Sequence, residues 1–200
     1  MSRRAETDHP IHDILAERWS PYGFAETPVP VEDFRALFEG ARWAASSYNE
    51  QPWRYIVAFR NNSEAFDKLL SCLVEANQSW ARFAPVLILG MAKKTFSRGG
   101  SPNRVALHDL GTASASLTFE AGARGLMVHQ MAGIHPEKAR MLYGIPEDFE
   151  VVTALAVGYA GTPDGLPEEC KERDMAPRQR KPVREWVFAG EWNRPWDPSA

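Results

Sequence analysis

Three short segments of this 200-residue sequence carry groups that suit a charged, hydroxyl-bearing ligand. The segments "ERWSPYGF" and "PRQRKPVREW" lie near the two ends of the chain and bear arginines, and "SSYNEQPWRYIVAF" places serines, an asparagine and a glutamine before an apolar run. Arginine offers a rigid fork of donors for phosphate, serine and asparagine bind hydroxyl groups, and glutamine or a backbone amide can meet the edge of a heterocycle. Together these segments suit a phosphorylated cofactor.

The motifs of other common chemistries are absent from the sequence. There is no GxGxxG after a strand, no Walker loop, no HExxH and no GxSxG. Cys72 and Cys170 stand alone, and the histidines lack metal-ligand spacing, so His108, His129 and His135 are interpreted as surface or hydrogen-bonded residues. We therefore predict no metal site and name no catalytic side chain.

Composition predicts one domain that spans residues 1–200. A hydrophobic fraction of 44% supports a substantial core, and a net charge of -3 indicates neither nucleic acid nor a membrane surface as a partner. The apolar runs are shorter than the roughly 20 residues that span a bilayer, and the charged start lacks the apolar segment of a signal peptide. With no disulfide framework, a cytoplasmic setting is expected.

Periodicity predicts helices that alternate with strands. Helical spacing marks "DHPIHDILAERWS", "VEDFRALFEGARWAA" and "PEKARMLYGI", and the small residues of "NRVALHDLGTASASLTFEAGARGL" would let another backbone approach closely. The apolar runs "WRYIVAFR", "APVLILGMA" and "VVTALAVGYA" read as central strands, so we predict an α/β or α+β layered fold. From about residue 163 the chain loses both periods and reads as an extended C-terminal arm that wraps its own domain or crosses to a partner.

At the three polar segments the sequence resembles the nitroreductase family of flavin enzymes. The counterparts of the family's motifs are "RWSPY", "ASSYNEQPW" and "RQRKP", which occur in the family's order. The resemblance implies an α+β fold, a three-layer sandwich with a mostly antiparallel central sheet, in an intertwined homodimer that exchanges its C-terminal arms. It also implies one FMN at each of two interface sites, so that the polar loop meets the flavin of the partner subunit.

The resemblance assigns the site residues position by position. Arg18, Trp19 and Ser20 correspond to phosphate and ribityl contacts, Arg178 and Arg180 complete the phosphate site, and Tyr22 replaces the family's usual Arg or Lys. The loop from the second subunit contains Ala45, Ser46, Ser47 and Asn49, with Ala45 in place of the usual Pro. The Asn on the pyrimidine side is Asn77. The loop over the flavin contains Gln130, Met131, Ala132 and Gly133, and Ala132 replaces a common Glu.

The activity implied by the resemblance is electron transfer from NADH or NADPH through FMN to a small-molecule acceptor, such as a nitroaromatic or a quinone, in a ping-pong reaction. The alternatives are another flavin chemistry on the same fold (dehalogenation, enoyl-type reduction or flavin fragmentation) and a flavin-binding or storage protein without turnover.

Each segment taken alone has a simpler interpretation. Arg18 would suit the C-terminal end of a helix dipole, "RQRK" a solvated basic run or a weak nucleic-acid contact, and the serines a turn. Asn77 alone would be an exposed helix residue, and the tail tryptophans Trp186, Trp192 and Trp196 read as packing anchors for the arm. The joint order of the segments favours the flavin site.

Overall fold

The computed structural model describes residues 3–162 and 164–196. Within them the chain forms seven α-helices and four β-strands. The helices are α1 Asp13–Glu17, α2 Val31–Arg42, α3 Ser63–Leu70, α4 Glu75–Ala81, α5 Ala106–Ala123, α6 Pro136–Tyr143 and α7 Glu168–Met175; the strands are β1 Trp53–Phe59, β2 Val86–Lys93, β3 Met127–Met131 and β4 Phe149–Gly158.

The strands form one antiparallel sheet in the order β1-β2-β4-β3. Strand β2 is buried along nearly its whole length, which explains its uninterrupted apolar run, and its pairing with β4 shifts register between Gly90 and Met91. Strands β1 and β3 are the sheet edges, so β3 has one side free of strand partners.

Helices cover both faces of the sheet, which confirms the α+β class and gives three layers. One core packs α2 and α5 against β2 and β4, and the other packs α3, α4, α6 and α7 against the opposite face. Gly40 of α2 lets the two helices approach closely, because a Cβ added to it would lie 3.1 Å from the Cβ of Glu120 on α5.

The predicted helices and central strands are confirmed, with two corrections at their margins. Helix α1 begins at Asp13, after Pro10, and His12 caps it by accepting a hydrogen bond from the Ile14 N–H. The segment predicted as a loop over a ring contains β3, so Gln130 and Met131 lie in a strand and Ala132 and Gly133 follow it. The strand has only five residues, too few for a clear alternation.

The segment predicted to be extended from residue 163 contains helix α7. Leu166, Cys170 and Asp174 are buried there against the chain's own core. The sequence pattern did not predict this helix, because "EECKERDM" buries one cysteine and one aspartate and so has no apolar stripe. Beyond Met175 the described chain has one 3-10 turn, Val183–Glu185, and the last four residues of the predicted arm lie outside the described residues.

The tail tryptophans are exposed in the single chain. Trp186, Trp192 and Trp196 are 60%, 83% and 48% exposed, although Trp192 meets the Phe188 ring at 5.0 Å between centroids. They therefore anchor little of the arm to their own domain. In the described part of the chain, no helix has both the length and the apolar character needed to cross a membrane.

Candidate functional site

The segment that follows α1 lies beside the edge strand β3. The carbonyl of Pro21 is 2.9 Å from Nδ1 of His129, and burial lowers the pKa of His129, which favours a neutral ring whose Nδ1–H donates to Pro21. The Tyr22 ring meets His129 and Trp80 edge-on, at centroid distances of 4.8 and 5.0 Å. Strand β3 and helix α4 therefore hold Pro21 and Tyr22, which directly follow the predicted Arg-Trp-Ser segment.

A buried carboxylate on α7 fixes the same segment from another side. Asp174 is 3% exposed and accepts the backbone N–H groups of Tyr22, at 2.9 Å, and Gly23, at 3.2 Å. The Tyr22 hydroxyl accepts a hydrogen bond of 3.4 Å from Arg173. Tyr22 is thus engaged by its own subunit through its ring, its amide and its hydroxyl, and sequence reasoning missed Asp174 as the residue that positions it.

The structure brings together the arginines from the two ends of the chain. Burial, followed by the charge of Arg180, lowers the pKa of Arg18. Burial, followed by the charges of Arg18, Arg180 and Arg3, lowers the pKa of Arg178. Among residues 3–162 and 164–196, none of these four side chains forms a salt bridge with a carboxylate. We call these four residues the arginine cluster.

Members of the arginine cluster differ in how they are held. Arg178 Nη1 donates to the carbonyls of Arg3 and Ala16, at 2.7 Å each, and so ties the arm to the N-terminal segment. Arg180 is exposed and, among the described residues, donates only to the adjoining Gln179 carbonyl, and Arg18 Nη1 lies 3.5 Å from the Ser20 hydroxyl. Arg18 and Arg180 therefore keep most of their donors for another anion, whereas Arg178 is largely structural.

Arg3 is the member of the cluster that sequence reasoning missed. Its guanidinium lies 4.2 Å from the centre of the Trp19 ring and donates to the Ala176 carbonyl at 3.1 Å, while its Nε is buried without a hydrogen-bond partner. Arg3, Trp19 and Arg178 line a cleft of about 760 Å³, together with Arg4 and the carboxylates of Glu6, Glu17 and Asp174. A buried, unpaired donor is costly, so this nitrogen is a local cost of holding Arg3 against Trp19.

Asn77 and the residues after β3 form a second part of the same region. Asn77 Nδ2 donates to the Gly133 carbonyl at 3.0 Å, and a Cβ on residue 133 would lie 2.5 Å from that nitrogen, so only glycine fits there. Gln130 donates to the Thr118 hydroxyl at 3.2 Å, and Ala132 is exposed. Their neighbour Met131 is buried in the core and can offer a ligand only its backbone.

The polar loop, residues 46–51, adopts a strained turn before β1. Tyr48, Asn49 and Gln51 have φ angles of 52°, 56° and 51°, in the left-handed region that non-glycine residues rarely enter. Such strain persists only where surrounding bonds impose it, and it is concentrated at functional sites. The Ser46 hydroxyl accepts the Gln51 N–H at 3.0 Å, which closes the turn.

Another buried carboxylate anchors the polar loop to α5. Asp109, in the first turn of the helix, is 3% exposed and accepts the Ser47 N–H at 3.1 Å. Sequence reasoning missed this residue too, because "ALHDLG" carries no signal that its aspartate faces inward.

The polar loop and helix α1, which ends just before Arg18, lie near opposite ends of α5. Ser47 bonds Asp109 near the start of the helix, and Ile14 of α1 packs on Gly122 near its end. The difference, 122 − 109 = 13 residues, corresponds to about 20 Å of helix at 1.5 Å per residue. The predicted site residues thus form two groups in one chain: Ala45, Ser46, Ser47 and Asn49 in one, and the arginines, Asn77 and the end of β3 in the other.

The comparisons with known proteins agree with this architecture. Residues 15–76 match the model of the Nitroreductase family. The chain is 32% identical over 151 residues to the uncharacterised 15.4 kDa protein of the ask 5′ region of Mycolicibacterium smegmatis, covering 71% of this chain and 99% of that protein. It is 27% identical to a Streptomyces coelicolor protein provisionally named NADH dehydrogenase/NAD(P)H nitroreductase, over 81% of this chain and 90% of the relative.

A solved structure extends the similarity to nearly the whole chain. A crystal structure described as an oxidoreductase containing FMN superposes with a TM-score of 0.89 at 31% identity, over 96% of this chain and 97% of that one.

Proposed function

This chain belongs to the nitroreductase family, and we propose that it is an FMN-dependent oxidoreductase that transfers electrons from NADH or NADPH to a small acceptor such as a nitroaromatic or a quinone. The observation that carries the proposal is the arginine cluster. Arg178 bonds the Arg3 and Ala16 carbonyls, Arg18 and Arg180 are close enough to influence its pKa, and none of the four arginines forms a salt bridge within the described residues. A phosphate monoester dianion fits the positive charge of this cluster.

The residues around the cluster suit the rest of FMN. Ser20 and Trp19 adjoin the arginines and would meet the ribityl chain, and the outer edge of β3 with Asn77 and Gln130 offers amides to the edge of a heterocycle. Bound FMN would supply the redox chemistry, taking hydride from a reduced nicotinamide and passing two electrons to the acceptor in a ping-pong reaction. The protein residues bind and orient, and none is assigned as an obligatory acid or base.

We propose that the working protein is a homodimer in which the polar loop of one subunit reaches the flavin held by the arginine cluster of the other. Support comes from the roughly 20 Å of α5 between Asp109, which holds the polar loop, and Gly122, which contacts helix α1 just before Arg18. The exposed tail tryptophans also fit an exchanged arm. Such an interface would exceed roughly 2,000 Å² and be inseparable from folding.

The absorbance spectrum of the purified protein, with mass identification of what denaturation releases, tests the cofactor assignment. We expect a yellow protein that releases FMN, and apoprotein that binds FMN more tightly than FAD. A colourless protein whose apo form does not bind FMN would refute the proposal. Oxidation of NADH or NADPH by a panel of nitroaromatics and quinones then separates an oxidoreductase from a flavin-storage protein, which would bind FMN without acceptor-dependent turnover.

A further inference from the structure

The connection from β2 to α5 is a basic hairpin outside the site described so far. Residues 93–104, "KKTFSRGGSPNR", carry Lys93, Lys94, Arg98 and Arg104 and no carboxylate, in a chain whose net charge is -3. All but Lys93 are exposed, and none forms a salt bridge within the described residues. We call residues 93–104 the basic hairpin.

The backbone of the basic hairpin is ordered by its own bonds. Phe96 N–H donates to the Ser101 carbonyl at 2.9 Å, and Gly100 N–H donates to the Phe96 carbonyl at 3.1 Å. Gly99 and Gly100 have φ angles of 84° and 67°, which glycine adopts without strain. This turn presents Arg98, the residue before the glycines, at its tip.

Side-chain contacts join the basic hairpin to the polar loop. Glu50 Oε1 accepts from the Ser97 N–H at 2.8 Å and from the Ser97 hydroxyl at 2.5 Å, and these bonds lower the pKa of the Glu50 carboxyl. The Phe96 ring meets Tyr48 edge-on with 5.8 Å between centroids. Arg98 therefore follows directly on the residue that Glu50 holds, and the hairpin and the loop form one unit.

We propose that the basic hairpin binds the 2′-phosphate of NADPH and makes NADPH the preferred reductant. The inference rests on the proposed function, in which the polar loop stands at the partner subunit's flavin. The nicotinamide must lie at the flavin to deliver hydride, so the adenosine end of the dinucleotide extends toward the mouth of the site. A cationic unit joined to the loop would meet it there, and the guanidinium of Arg98 matches a phosphate monoester, which NADH lacks.

The test is the ratio of kcat/KM for NADPH to that for NADH in the FMN-loaded protein. Arg98→Ser should lower the ratio by about tenfold, the loss expected when one charge-assisted hydrogen bond is removed. Arg98→Glu should lower it further through repulsion. Arg35→Ser removes an exposed arginine of α2 that pairs with Glu32, and it should leave the ratio unchanged. Calorimetric titration with 2′,5′-ADP, compared with 5′-AMP, gives a readout without turnover.

The measured ratio and the binding of 2′,5′-ADP either support or overturn the role of the basic hairpin. A selective loss with NADPH, matched by weaker binding of 2′,5′-ADP, supports it. An unchanged ratio in both Arg98 variants would overturn it, as would an equal loss with both reductants, which would indicate the shared diphosphate. FMN affinity is measured on the same preparations: tight FMN binding with an unchanged ratio refutes the hairpin alone, whereas absent FMN binding refutes the proposed function and the hairpin's role with it.

Discussion

The arginine cluster and the polar loop are opposite kinds of incomplete site. The cluster gathers like charges whose mutual repulsion and burial oppose its assembly, and one of its donors is unpaired. The loop has its backbone strain held by internal bonds and by the buried Asp109, yet it leaves Tyr48 92% exposed. The cluster thus concentrates positive charge, whereas the loop presents a strained and exposed surface, and the proposed function joins the two across a subunit interface.

The largest effect expected is on FMN affinity when the more buried free arginine is removed. Arg18→Ala should weaken FMN binding by about tenfold to a hundredfold, because a charge-assisted bond to phosphate is worth roughly 1.5–3 kcal/mol. The apoprotein should not lose stability, since Arg18 repels Arg178 and Arg180 when no anion is present. FMN titration and urea unfolding of apoprotein measure the two effects. A variant that unfolds more easily and binds FMN normally would show that Arg18 has a structural role.

At the polar loop, removal of the buried Asp109 carboxylate should mainly lower the stability of the folded protein. Asp109→Ala leaves the Ser47 N–H without its partner, so we expect a loss of about 1–3 kcal/mol in unfolding free energy, together with weaker FMN binding. Asp109→Asn retains an acceptor oxygen and should recover part of both. Equal stability of Asp109→Ala and the unmodified protein would contradict the anchoring role.

Arg180 should give a smaller loss, because it is exposed and solvent screens its charge. Arg180→Ala is expected to weaken FMN binding by about threefold to tenfold, and Arg180→Lys should recover only part of this, since an ammonium cannot reproduce a bidentate fork. Arg184→Ala, nearby on the arm, is the matched control. If Arg180→Ala and Arg184→Ala bind FMN alike, the "RQRK" segment is a solvated tail.

The smallest effect expected is a difference between the two regions in the pH range over which each loses its contribution to stability. Burial lowers the pKa of His129, so its contribution to stability is present above the unfolded value of about 6.5 and is lost as pH falls through the folded value. Glu50, on the loop, has its own pKa lowered and contributes above an unfolded value of about 4.3, so its contribution is lost in a more acidic range.

Urea midpoints at pH 7.5 and 5.5 should therefore differ less in His129→Asn than in the unmodified protein. The same comparison in Glu50→Gln should match the unmodified protein over this interval. Identical pH dependence of the unmodified protein and His129→Asn would show that His129 does not contribute to the pH dependence of stability.

Sequence patterns predicted the elements with strong periods and missed those without them. Helix α2 and strands β2 and β4 bury extended apolar sets, and β1 is marked by its aromatic and β-branched residues, so their patterns were sufficient. Strand β3 is short, and α7 buries mainly Cys170 and Asp174. The family resemblance predicted that Arg18, Arg178 and Arg180 share a phosphate site; their charges influence one another's pKa, and the phosphate site itself stays a prediction.

The residues that position the site were invisible in the sequence. Asp109 and Asp174 look like ordinary solvated helix carboxylates until the fold buries them, and Arg3 belongs to a basic run whose role depends on contacts with Trp19 and Ala176. Their roles follow from tertiary contacts alone, and the spacing of residues along the sequence does not reveal those contacts.

Complementation between two defective chains tests most directly whether one site is built from two subunits. Arg18→Ala disables the arginine cluster. Ser47→Ala combined with Asn49→Gly removes side chains from the polar loop, and glycine tolerates the positive φ of residue 49. The two proteins are unfolded together, refolded as an equal mixture and titrated with FMN. In a mixed dimer, one site would then combine an intact cluster with an intact loop.

Random reassortment makes half of the dimers mixed, and we predict that about a quarter of all sites regain tight FMN binding. No recovery in a mixture shown to contain mixed dimers would contradict the account and place the loop and the cluster of one site in the same chain.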